Sequence, residues 1–372
     1  MKFANLIAII LTTQISYAFD TLPEYQTTVD QKPTSFNLSK IDSEYSSHLL
    51  NYSMPLHLEN SKNSLVMSIG SLSGKEFLIQ QKLHVHKDLN EYVPFRFFWW
   101  QDGDREKDAE QFLWSLGFKP TKRTQVNGIG NSFNNKARND VGLEINFAQS
   151  DEASWKFVYY KPDFQKNKRN LSTDRWGTSP QMFFLGYENQ SLDLFVRHEP
   201  ENDSFDTVST DTSDIAKNTL GLTWRSENAV LQFQYDHIDE TVNTVETELQ
   251  RIMSRYYHWL DCGDHKIRAG LAYFSWQYDQ GQKFANFNDV VPNIQMDYGS
   301  FTYSYDVTFR HSTGDSTLSE YADKDEIENR FVAKWNAVTS ENSLFALTFT
   351  FDLDNLEDEP WEGGAANLRI NF

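Results

Sequence analysis

The chain closes with Ala366-Asn367-Leu368-Arg369-Ile370-Asn371-Phe372. Ala366, Leu368, Ile370 and Phe372 share one side of an extended backbone, and Asn367, Arg369 and Asn371 share the other. A strand apolar on one face and polar on the other separates two environments. The same alternation recurs upstream. Val141, Leu143, Ile145 and Phe147 turn at Ala148 to Ala153 into Trp155, Phe157 and Tyr159. Leu220, Leu222 and Trp224 turn at Ser226-Glu227-Asn228 into Leu231, Phe233 and Tyr235. Ile294, Met296 and Tyr298 turn at Gly299-Ser300 into Phe301, Tyr303 and Tyr305. Phe331, Ala333 and Trp335 turn at Ser340-Glu341-Asn342 into Phe345, Leu347 and Phe349. These are hairpins with polar, turn-forming residues at their tips, and longer acidic stretches join one hairpin to the next.

The terminal strand, with its carboxyl-terminal Phe372, resembles the closing strand of bacterial outer-membrane β-barrels. In that family the last aromatic is part of the signal read by the barrel-assembly machinery. The resemblance implies an all-β fold, an antiparallel transmembrane β-barrel of about 16 strands within a range of about 14 to 18. Short turns belong on the periplasmic side and long loops outside. The strands Phe77 to His86, Val93 to Trp100 and Phe112 to Phe118 precede the regular hairpins. Tyr45 to Met54 and Leu65 to Gly70 are candidates for two more.

Composition agrees. Aromatics make up 15% of the 372 residues, an excess suited to lipid-facing surfaces and interfacial girdles. The mean hydropathy of -0.61 does not oppose a barrel, because only alternate residues face lipid. Lys2, the apolar run Ala4 to Leu11, and Ser16 and Ala18 ahead of Phe19 read as a signal peptide over residues 1–18. Residues 19–75 are polar and read as a periplasmic tail, a plug or a first hairpin, with the barrel over 76–372. Cys262 is the only cysteine, so no intramolecular disulfide and no site of paired cysteines exists. A formal charge of -19 argues against nucleic-acid binding as the main task.

Charge is sorted along the strands. Opposite the apolar faces lie Lys82, Arg96, Lys156, Arg197, Arg225, Arg255, Lys266, Arg268, Arg310, Arg330, Lys334 and Arg369, the expected pore lining. Glu144, Asp193, Asp236, Asp297, Asp306 and Asp352 stand against them. Charged inward residues either line water or pair with one another and with a plug. The long loops carry an acidic rim that includes Asp203, Asp206, Asp323, Asp325, Glu326, Asp354, Glu357 and Asp358. Such a rim collects cations or bridges to lipopolysaccharide phosphates through loosely held divalent ions; simple solvation of mobile loops is the plainer account. No other cofactor is expected. Lys119, Lys122, Arg123, Lys136 and Arg138 flank one loop and Lys166, Lys168, Arg169 and Arg175 occupy the next, which predicts one basic sector on the rim.

Phe98-Trp99-Trp100-Gln101, with Asn127-Gly128 and Ser132, resembles outer-membrane phospholipase A. That family places a His, then a Ser two residues on, before Asn-Gly; Thr124 and Val126 occupy those positions here, so the resemblance implies no active nucleophile. His84 and His86 share one strand face but have no third ligand in sequence. The expected function is a passive channel with a basic lining that favours anions. A barrel scaffold holding a periplasmic or surface partner, and a catalytically degenerate phospholipase-like protein, are the alternatives. Expected partners are outer-membrane lipid, lipopolysaccharide and the assembly machinery; the size class leaves homo-oligomers open.

Overall fold

The computed structural model describes residues 63–71, 78–103, 108–133, 138–166, 182–205, 212–242, 245–263, 265–281, 283–315, 325–340, 342–354 and 361–372. These form β1 (Ser64–Ser71), β2 (Leu78–Asn90), β3 (Val93–Gly103), β4 (Asp108–Thr121), β5 (Thr124–Phe133) and β6 (Arg138–Ala148). Next come β7 (Ala153–Lys166), β8 (Met182–Asn189), β9 (Leu192–Phe205), β10 (Thr212–Arg225), β11 (Ala229–Val242) and β12 (Val245–Cys262). The chain ends with β13 (His265–Gln280), β14 (Lys283–Tyr298), β15 (Phe301–Gly314), β16 (Asp325–Thr339), β17 (Ser343–Asp352) and β18 (Trp361–Asn371). The expected signal peptide and the candidate strand Tyr45 to Met54 lie outside the described residues.

Every strand pairs antiparallel with its neighbours in sequence, and β1 also pairs with β18, from Ser64 opposite Asn371 to Ser71 opposite Gly364. The ring is therefore closed and has no free edge. Phe372 N donates to Asn63 O at 2.9 Å, so the first and last strands meet at the same end of the barrel. Short turns crowd that end, which makes it the periplasmic one by the asymmetry of such barrels. Gly299, with φ of 58°, leads the two-residue turn from β14 to β15, where a left-handed residue matches the twist of the strands.

The described residues hold eighteen strands, two more than the central expectation of sixteen and at the edge of the expected range. One addition is β1, inside the segment 19–75. The other is β5, whose outward positions include Gly128 and Gly130 and so show no apolar alternation. Trp114, opposite Gly130 in register, lies across it, and a Cβ on Gly130 would collide with the indole. The neighbour's ring thus supplies the apolar cover that Gly130 lacks.

The outer face is apolar and exposed. Leu185, Leu271, Ile294, Phe309 and Trp335 stand between 42% and 49% accessible. Rings from adjacent strands stack on it, Tyr303 with Phe331 at 6.2 Å and Phe301 with Trp335 at 6.4 Å. Such pairs contribute about 0.5–1.5 kcal/mol each beyond area burial. β14 runs through Pro292; ladder contact with β15 breaks between Val290 and Asn293 and resumes in unchanged register. Proline has no N–H to give, so a local break replaces a bulge.

Candidate functional site in the barrel lumen

Strand parity turns the charged residues inward, and the registers gather them into three networks. In the first, Arg96 on β3 reaches over β4 and β5 to Glu144 on β6, with Arg96 Nη2 2.8 Å from Glu144 Oε1 and 3.4 Å from Ser115 Oγ. Asn127 Nδ2 donates to the same oxygen at 2.6 Å, and Asn146 donates to it too. Gly117 provides the clearance: a Cβ there would overlap Asn127 Oδ1 and sit 2.8 Å from Pro94 Cγ.

The second network centres on Asp236 of β11, which is fully buried. Arg251 on β12 grips it with two donors, Nε at 2.9 Å and Nη2 at 2.7 Å. Thr219 on β10 donates to Asp236 at 2.7 Å and accepts from Arg197 on β9 at 3.2 Å. Gln234 donates from the same strand, and Lys217 and Arg197 add their positive charge.

The third lies across β14, β15 and β16. Arg310 binds Asp289 through Nε at 2.9 Å and Nη2 at 2.7 Å, and its Nη1 reaches Glu326 at 3.2 Å. Arg330 pairs with Asp306 at 3.2 Å. Near the periplasmic end, Arg225 pairs with Asp193. Fork-to-carboxylate geometry makes the Arg310–Asp289 and Arg330–Asp306 pairs directional, and burial makes them expensive to break.

The remaining expected pore residues are placed as follows. Lys156 is buried on β7, opposite Asn146. The Arg255 guanidinium lies over the Phe274 ring at 5.3 Å, and that of Arg268 over Tyr257 at 4.6 Å. Lys266 is exposed beside Asp297 in register, and Lys334 is half-buried opposite Thr302. Lys82 and Arg369 occupy β2 and β18, but their side chains lie outside the described residues.

Sequence reasoning missed Arg251, Lys217 and Asp289. Each precedes an expected strand, by one residue for Arg251, three for Lys217 and five for Asp289, and extending the parity from Arg255 by four residues reaches Arg251. Asp289 was hidden because Pro292 interrupts the apolar alternation of β14 ahead of Ile294. Of the two arrangements expected for the inward charges, pairing is what Arg96, Arg225, Arg310 and Arg330 show, each meeting a carboxylate on another strand. Among the described residues, Arg268, Lys266 and Lys334 make no ion pair.

The rim is also less simple than a free acidic fringe. Glu326 serves Arg310. Asp325 bonds His311 at 2.5 Å, and Asp354 accepts from the backbone N and Nδ2 of Asn329, both at 2.6 Å. Asp203 falls within β9, but its side chain, like Asp206, Asp323, Glu357 and Asp358, lies outside the described residues. The single basic sector is split in two. Lys119, Lys122 and Arg123 sit at the short β4–β5 turn on the periplasmic end, where Lys119 meets Asp88 at 3.4 Å. Arg138 and Lys166 begin and end strands at the opposite end. The unrecognised β5 accounts for that error.

In the phospholipase-like fragment, Thr124 and Val126 face outward opposite Phe147 and Ile145, whereas Asn127 turns inward to Glu144. Asn127 thus serves the wall network. His86 approaches Asp88 at 3.8 Å, and the side chain of His84 lies outside the described residues.

No protein-family model matches the chain, and no curated protein matches it. Among solved structures it is similar to OmpTdeltaL8, a loop L8 deletion mutant of OmpT, an outer membrane protein of Vibrio cholerae. There the TM-score is 0.45 at 7% identity, covering 83% of this chain and 97% of that one. OccAB2 of Acinetobacter baumannii gives 0.45 at 9% identity, covering 84% and 98%. OpdQ of Pseudomonas aeruginosa gives 0.45 at 12%, also covering 84% and 98%. The chain's own closed ring, apolar outer band and charged interior make it a β-barrel of the outer membrane.

Proposed function

We propose that this barrel is a passive channel for small polar and charged solutes. The observation that carries this reading is an eighteen-stranded closed ring whose inward side carries networks of charged and polar side chains, set among apolar ones such as Val158, Phe274 and Val291. With strands about 4.8 Å apart and tilted about 40°, a ring of this size has a Cα radius of about 18 Å. That is far wider than two facing arginines can span, and barrels of about 16–18 strands enclose water.

The ion-pair networks then act as fixed, rigid wall. Among the described residues, selectivity falls to the cations that make no ion pair, Arg268, Lys266 and Lys334, which stand toward the periplasmic end of β13 and β16. They favour anions weakly. Conductance and reversal potential in planar bilayers test the reading. A purified barrel that yields no conductance steps while retaining a stoichiometric partner would favour the scaffold instead.

A further inference from the structure

The outward parity of β12, β13 and β14 changes character partway up the wall. On β13 the outward run Ile267, Ala269, Leu271 and Tyr273 is apolar, and then come Ser275, Gln277 and Asp279. The Tyr273 hydroxyl donates to Asn288 Oδ1 at 3.0 Å, marking the upper edge of the apolar band. Gln277 lies four residues further, about 13 Å along the strand. There the outer wall carries a cleft of about 300 Å³, lined by Glu248, Gln250, Gln277, Asp279, Phe284 and Asn286 together with Tyr278 and Ala285.

The registers arrange the outward six as a grid. Gln250, Gln277 and Asn286 form one row across the three strands, and Glu248, Asp279 and Phe284 form the next. The grid spans about 10 Å by 7 Å, the footprint of a sugar ring. Phe284 is 54% exposed, an aromatic face presented at the edge of a polar cleft. No Lys or Arg lines the cleft, so a bare phosphate would meet two carboxylates, with His237 held 3.5 Å from Glu248 as the nearest titratable nitrogen.

We propose that this cleft binds the saccharide headgroup of a glycolipid in the surrounding outer leaflet. Carboxylates accept hydrogen bonds from sugar hydroxyls, side-chain amides both donate and accept, and an aromatic ring covers the C–H face of a sugar. The cleft's height, just above the apolar band, is where such a headgroup lies. The proposal rests on the barrel spanning a membrane and is independent of conduction through the lumen.

Native mass spectrometry of the purified full chain tests it. Lipopolysaccharide with its core sugars is added in one arm and lipid A stripped of them in the other, each with and without EDTA. The expected result is retention of the sugar-bearing lipid in both EDTA conditions. Gln277→Ala and Phe284→Ala should each lower that retention at least tenfold while leaving the folded electrophoretic mobility unchanged. Equal retention of the sugar-free lipid, loss on adding EDTA, no retention by the wild type, or no effect of the substitutions would overturn it.

Discussion

Replacing Asp236 by Asn tests whether the lumenal charges are a dry structural network. Asp236 is fully buried and receives Arg251 through two donors, Thr219 and Gln234, with Lys217 and Arg197 close enough to add their field. The substitution keeps the shape and removes the carboxylate charge that Arg251 grips and that Lys217 and Arg197 face. Removing one partner of a buried ion pair costs about 3–5 kcal/mol, because the other is left uncompensated. The converse change, Arg251→Met, leaves Asp236 with Thr219, Gln234, Lys217 and Arg197, so it should cost less. The two changes share a contact, and the double variant should be milder than their sum by about 1–3 kcal/mol. Urea unfolding in lipid vesicles, followed by the fluorescence of the 10 tryptophans, measures all three variants. A shifted midpoint with an unchanged slope is the expected form. A cost below about 1 kcal/mol for D236N, or strict additivity, would mean that these charges are solvated separately, and the network account would fail.

Other outcomes follow from single positions. Gly117→Ala drives a methyl into Asn127 Oδ1 and against Pro94, and such overpacking should cost about 1–3 kcal/mol in the same unfolding assay. Changing Arg268, Lys266 and Lys334 together to Ser should shift the reversal potential in a KCl gradient toward the cation side, with the folded mobility unchanged. Deleting Phe372 removes one terminal hydrogen bond to Asn63, worth about 1 kcal/mol, so refolding in vitro should survive. Insertion in cells should fall sharply if the terminal aromatic is read during assembly; equal surface levels would contradict that role.

Period-two alternation made the architecture legible, because within the apolar band most outward positions of a barrel strand carry apolar side chains of their own. It failed where one strand borrows its cover from the next. Gly128 and Gly130 offer no side chain, and Trp114 supplies the apolar surface instead. Losing β5 also moved Lys119 and Arg123 to the wrong end of the barrel. Within the site, parity identified which residues turn inward but not their row. The pairing of Arg310 with Asp289 depends on a register carried past Pro292, and the reach of Arg96 to Glu144 crosses two intervening strands. Neither follows from spacing along one strand. The basic excess counted by parity therefore overstated the charge available to a solute.

The most direct measurement is single-channel recording of the purified full-length barrel in planar bilayers. The account predicts discrete conductance steps that scale with salt concentration, with a modest anion preference that weakens when Arg268, Lys266 and Lys334 are neutralised. A correctly folded barrel that inserts and gives no steps would contradict a water-filled eighteen-stranded channel.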